Sequence, residues 1–93
     1  MKEDETDAAA EIYTARYCPY CPAAKELLAR KGIRFTEIDI AGNWERRDEM
    51  IERAGGRATV PQIFIHRVHI GGAADLARLE SEGALDALLK APG

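Results

Sequence analysis

Cys18 and Cys21 stand three positions apart in the run Tyr17-Cys18-Pro19-Tyr20-Cys21-Pro22, and the chain has no other cysteine. No other feature constrains the fold as much. Positions i and i+3 of a helix lie on one face about 5 to 6 Å apart, inside the Cα separation that a disulfide tolerates. A helix starting at the pair therefore lets it open and close without moving the fold. Two thiols are too few to hold a metal alone, and they are what reversible dithiol chemistry requires. Pro19 is the residue type favoured at a first helical position, and Ala23 to Ala29 is strong helix former. The spacing predicts a helix over residues 19–31 with Cys18 at its N-cap. Unpaired N–H groups and the positive end of the helix dipole there favour a thiolate. Cys18 then attacks, and Cys21, one turn further in and more buried, resolves. The bland alternative is two small buried residues that happen to be cysteine.

Ninety-three residues suit one domain. The longest apolar runs are a few residues, too short for a membrane span, and the N-terminus is acidic rather than basic then apolar. A cytoplasmic location is the expectation. The net charge of -3 comes from Lys2 against Glu3, Asp4, Glu5 and Asp7, which leaves twelve basic and twelve acidic side chains after residue 7. No basic nucleic-acid face is present. Residues 1–10 read as an acidic, disordered tail and residues 11–93 as the folded domain.

Glu11 to Thr14 reads as a short strand leading into the cysteine loop, and Gly32 stops the helix that follows. Residues 33–40 alternate apolar and polar with period two, as a half-buried strand does. Asn43 caps a second helix through Ala54, with Met50, Ile51 and Ala54 facing inward. Gln62 to Ile65 and Val68 to Ile70 are short strands around a turn at His66-Arg67, and Gly71-Gly72 leads into helical segments carrying Leu76, Leu79, Leu85, Leu88 and Leu89. This order, βαβαββα, predicts an α/β fold with a four-stranded mixed sheet flanked by helices. The first two strands are parallel neighbours and the last two an antiparallel hairpin.

Three blocks together resemble a known family. The Ile12-Tyr13-Thr14 strand before Cys18-Pro19-Tyr20-Cys21, then Thr59-Val60-Pro61-Gln62-Ile63-Phe64-Ile65, then His69-Ile70-Gly71-Gly72 with Asp75-Leu76, are similar to the signature blocks of a dithiol glutaredoxin of the bacterial glutaredoxin 3 type. Thioredoxin has Gly-Pro between its cysteines and Trp before them, where this chain has Pro19-Tyr20 and Tyr17. The resemblance implies a thioredoxin fold, glutathione as electron donor and co-substrate, and reduction of protein disulfides and glutathione mixed disulfides. It also implies a cis bond before Pro61, with Thr59, Val60 and Pro61 lining the groove and Val60 pairing with the cysteinyl part of glutathione. The Gly71-Gly72 pair would allow close backbone approach, the amides of Ala74 and Asp75 would receive the glutamyl carboxylate, and the Asp75 side chain would face its ammonium. Tyr20 would wall the groove, while Tyr13 is open between groove and core. Relatives often carry Lys three residues before the first cysteine. This chain has Ala15 there, so Arg16 is the substitute, with Arg46, Arg47 and Arg57 as alternatives for the glycyl carboxylate. Pro22 removes an N–H from the first turn and biases Cys21 away from helical angles, which predicts a distorted start to the helix.

Two other functions compete. A zinc module from Cys18, Cys21, His66 and His69 has too short a histidine gap, and a strand would place those histidines on opposite faces. A glutathione-ligated [2Fe-2S] carrier, bridged between protomers through the first cysteine, is known among glutaredoxins, and there a proline after that cysteine disfavours it. Pro19 argues for the enzyme. No metal is expected. The partners expected are glutathione and disulfide-containing or glutathionylated proteins, met by a monomer.

Overall fold

The computed structural model describes residues 9–16 and 18–90. Its elements are β1 (Ala10–Thr14), α1 (Cys21–Arg30), β2 (Phe35–Asp39), α2 (Trp44–Arg53), β3 (Gln62–Ile65), β4 (Val68–Gly71), α3 (Ala73–Ser81) and α4 (Ala84–Lys90). The strands form one sheet in the order β2-β1-β3-β4. β1 and β2 are parallel, with Ile12 opposite Glu37, and β1 and β3 are antiparallel, with Ile12 opposite Ile63. β3 and β4 form the expected antiparallel hairpin, with an irregularity between Ile63 and Phe64. The turn residues His66 and Arg67 both have positive φ, 51° and 68°, the backbone that a two-residue hairpin turn of matching twist requires.

The central strands are buried on both faces, and successive side chains part to opposite sides. Ile12, Ile63 and Ile65 join Ala24, Leu27 and Leu28 of α1 with Leu76 and Leu85 of α3 and α4. Tyr13 and Phe64 face the other way, onto Met50 and Ala54 beside α2. The result is the layered thioredoxin fold that the resemblance implies.

Several boundaries differ from expectation. β1 begins at Ala10, which is fully buried, so the folded region starts before residue 11; residues 1–8 of the expected tail lie outside the described residues. β2 is shorter than residues 33–40, with Ile33 and Ile40 buried just beyond its ends. The final helical segments are two helices, parted where Gly83 takes a left-handed φ of +75°. Asn43 caps α2 as expected, its side-chain oxygen accepting from the Arg46 N–H at 3.1 Å.

The largest correction concerns α1. It begins at Cys21, with Tyr20 as N-cap and Pro22 in its first turn, so Cys18 precedes the N-cap by two residues. The Cys18 N–H closes a separate turn onto the Ala15 carbonyl at 3.0 Å. Pro22 is tolerated in the first turn because its missing N–H would have had no helical partner there.

Candidate active site

The loop between β1 and α1 places Cys18 against the segment entering β3. Its Sγ–H donates to the Val60 carbonyl at 3.3 Å, and the Val60–Pro61 bond is cis, as the resemblance implies. Both cysteines are free thiols and nearly enclosed, Cys18 at 7% exposure and Cys21 at 3%. Burial, and then the neighbouring Cys18 sulfur, push the Cys21 thiol up to about 12. Cys21 is thus held protonated beside its partner, which suits a resolving group and not a first attacker.

A second constellation lies where β4 meets α3. The Asp75 carboxylate accepts from the Gly72 N–H at 2.9 Å and faces Arg57 at 3.4 Å. The Gly72 bond, and then Arg57, hold its carboxyl below the usual range, so it stays charged. Gly71 makes this possible. Its φ is +124°, and a methyl there would overlap the Asp75 carboxylate. Gly71→Ala is therefore expected to destabilise the fold by about 1 to 3 kcal/mol in thermal denaturation, through backbone strain and loss of the Asp75 contact.

The two constellations adjoin, since a Cβ built on Gly72 would meet the Pro61 carbonyl at 3.4 Å. Val60, which meets Cys18, is thus linked through Pro61 to Gly72 and Asp75, with Thr59 just before it in the chain and Ala74 exposed on the first turn of α3. Arg16 is exposed on the turn before Cys18, and Tyr20 is 65% exposed between the cysteines. Of the other arginines, Arg46 pairs with Glu49 at 3.0 Å and Arg47 lies over Trp44, both on α2. Arg57 alone of these three reaches Asp75. Tyr13 belongs to the core: it is fully buried, and its hydroxyl bonds Glu49 and receives Arg53 at 2.8 Å.

Sequence reasoning passed over Gln62. Its buried amide donates to the Thr59 carbonyl at 3.0 Å and hydroxyl at 3.2 Å, and its oxygen meets His69 Nε2 at 2.7 Å. This pins the Thr59 segment to β4 and occupies His69 Nε2. A polar residue opening an otherwise apolar buried strand was the available signal. Among the described residues, no three His, Cys, Asp or Glu side chains gather as a metal site, and no helix is long and apolar enough to cross a membrane.

The sequence pattern of the glutaredoxin family matches residues 10–70. Glutaredoxin 3 of Escherichia coli (strain K12) is 58% identical over 80 residues, 86% of this chain and 95% of that protein. The solution structure of glutaredoxin from Brucella melitensis superposes with a TM-score of 0.76 at 58% identity, covering 89% of each chain. A crystal structure of a buckwheat glutaredoxin–glutathione complex superposes with a TM-score of 0.79 at 26% identity, covering 89% of this chain and 77% of that one. Cys18 facing Val60 with a second thiol beside it and the matched length agree: this chain belongs to the glutaredoxin family, the glutathione-dependent thiol–disulfide oxidoreductases.

Proposed function

We propose that this chain removes glutathione from mixed disulfides through Cys18 alone and reduces protein disulfides through Cys18 and Cys21 together. The contact between Cys18 Sγ and the Val60 carbonyl carries this reading. It sets the sulfur beside the backbone that enters β3, against which a peptide can pair as a strand does. Glutathione lies along that segment with its cysteinyl part against Val60 and its glutamyl end toward Asp75. The free amides at the start of α3, those of Ala74 and Asp75, receive the glutamyl carboxylate, and the Asp75 carboxylate faces the ammonium. Arg57 on the Asp75 side and Arg16 on the Cys18 side supply a cation for each of the two carboxylates. Tyr20 walls the groove.

Cys18 attacks the glutathione sulfur of a mixed disulfide, the client thiolate leaves, and a second glutathione frees Cys18. With a protein disulfide, the client is first bound to Cys18 and then released by Cys21. Family potentials of about -200 to -230 mV lie above probe-based cytosolic glutathione poises of about -280 to -320 mV, so the pool drives reduction. The protein works as a monomer in a reducing compartment such as the cytoplasm. The matched relatives favour this oxidoreductase over a cluster carrier.

Asp75→Ala tests the substrate groove. It is expected to raise KM for a glutathionylated peptide about tenfold, the loss of one charge-assisted contact, while kcat changes much less. An unchanged KM would reduce Asp75 to a helix-start charge.

A further inference from the structure

The two-thiol reaction makes a demand that burial of Cys21 opposes. Burial and then the Cys18 sulfur hold the Cys21 thiol above the ordinary thiol range, which disfavours the attacking thiolate. Burial, the first cause of that shift, persists when Cys18 is tied up in a mixed disulfide. The resolving attack therefore needs a group that takes the proton as the new S–S bond forms.

A cleft separate from the Val60 and Asp75 side opens at the two sulfurs, and Lys25, Glu37, Arg16 and Asp39 line it with them. Lys25 follows Cys21 by one turn of α1, and the Ala15 backbone and then the Lys25 ammonium draw the Cys21 thiol back down. From β2, Glu37 accepts from Lys25 Nζ at 3.2 and 3.1 Å and from the Thr14 hydroxyl at 2.8 Å. A carboxylate has about four lone-pair sites, so these bonds orient it and leave acceptor capacity. The other cleft carboxylate, Asp39, accepts from the Ala41 N–H at 2.8 Å at the end of the strand, and Arg16 is exposed.

We propose that Glu37, oriented by Lys25 and Thr14, accepts the Cys21 proton in the resolving step. The electron pair of Cys21 Sγ forms the bond to Cys18 Sγ, the bond from Cys18 to the client sulfur breaks, and the client leaves as a thiolate. The proton passes across the shared cleft to Glu37, and then to the departing thiolate or to solvent. One disulfide is exchanged for another, so no further oxidant or reductant enters. Lys25 faces the charge developing at Cys21. This inference rests on the roles proposed above for the two cysteines.

An aromatic disulfide whose halves leave as coloured thiolates tests it without glutathione. Attack by Cys18 releases one half and attack by Cys21 the other, and stopped-flow absorbance separates the two phases. Glu37→Gln keeps an oxygen for Thr14 and Lys25. It is expected to slow the second phase about a hundredfold and to make it climb about tenfold per pH unit, whereas in the unmodified chain that phase is nearly flat over about pH 6.5 to 8. Added acetate is expected to restore the second phase of Glu37→Ala in proportion to its concentration, which loss of a merely structural ion pair would not permit. An unchanged rate and profile in Glu37→Gln, a slope of one already present in the unmodified chain, or no recovery with acetate would overturn the proposal. A missing first phase would instead count against Cys18 as the attacking sulfur, so the two failures are distinct.

Discussion

Replacing Cys18 with serine is expected to abolish every thiol-transfer activity of this protein, leaving turnover at the background of the coupled glutathione assay. The loss is chemical rather than structural. A serine hydroxyl is not ionised near neutral pH and forms no disulfide, whereas a thiolate both attacks and leaves. The smaller hydroxyl can still donate to the Val60 carbonyl that Cys18 Sγ meets at 3.3 Å, so the fold is expected to persist by circular dichroism. Measurable turnover with glutathionylated peptide in this variant would sink the assignment of Cys18.

Cys21→Ser is expected to divide the activities instead. In the proposed mechanism removal of a glutathione adduct requires Cys18 and free glutathione, so that activity is expected to be retained or to rise, because the internal disulfide that would divert the enzyme can no longer form. Reduction of a disulfide within a client protein falls at least about tenfold. Cys21, as a neighbour of Cys18 in the same fold, acts at an effective concentration far above the millimolar level of free glutathione. The comparison needs two substrates, a glutathionylated peptide and a protein with an internal disulfide. Equal loss of both activities in a folded variant would place Cys21 in the attacking step and reverse the roles of the two sulfurs.

The strand and helix order was legible because each element carries its own period and punctuation, as in the buried run Ile63-Phe64-Ile65 and the cap at Asn43. The cysteine loop shows where such reading stops. Pro19 and Pro22 are each suited to a first helical turn, and the local rules preferred the earlier one. The turn from Cys18 to Ala15 and the reach of Cys18 to Val60, a contact across 42 positions, accompany the later start. Arg57 is a similar case. Nothing in its spacing separates it from Arg46 and Arg47, whereas the fold carries it to Asp75, 18 positions away, and leaves the other two on α2. Glu37 read only as the polar face of an alternating strand. Its meeting with Lys25 depends on how α1 crosses back over the sheet.

The position of β1 at the centre of the sheet bears on how the molecule is made. Its parallel partner β2 lies about 25 positions downstream, but its antiparallel partner is β3, so Ala10 waits for Ile65. Contacts of such sequence separation close late and slow folding. During synthesis both cysteines leave the ribosome well before Val60 does. A nascent chain ending short of Val60 carries the dithiol without the carbonyl that Cys18 faces and without the Asp75 groove. Redox competence is therefore expected only once the segment from Val60 to Asp75 has been made, and products that stop short of Val60 are expected to bear thiols without activity.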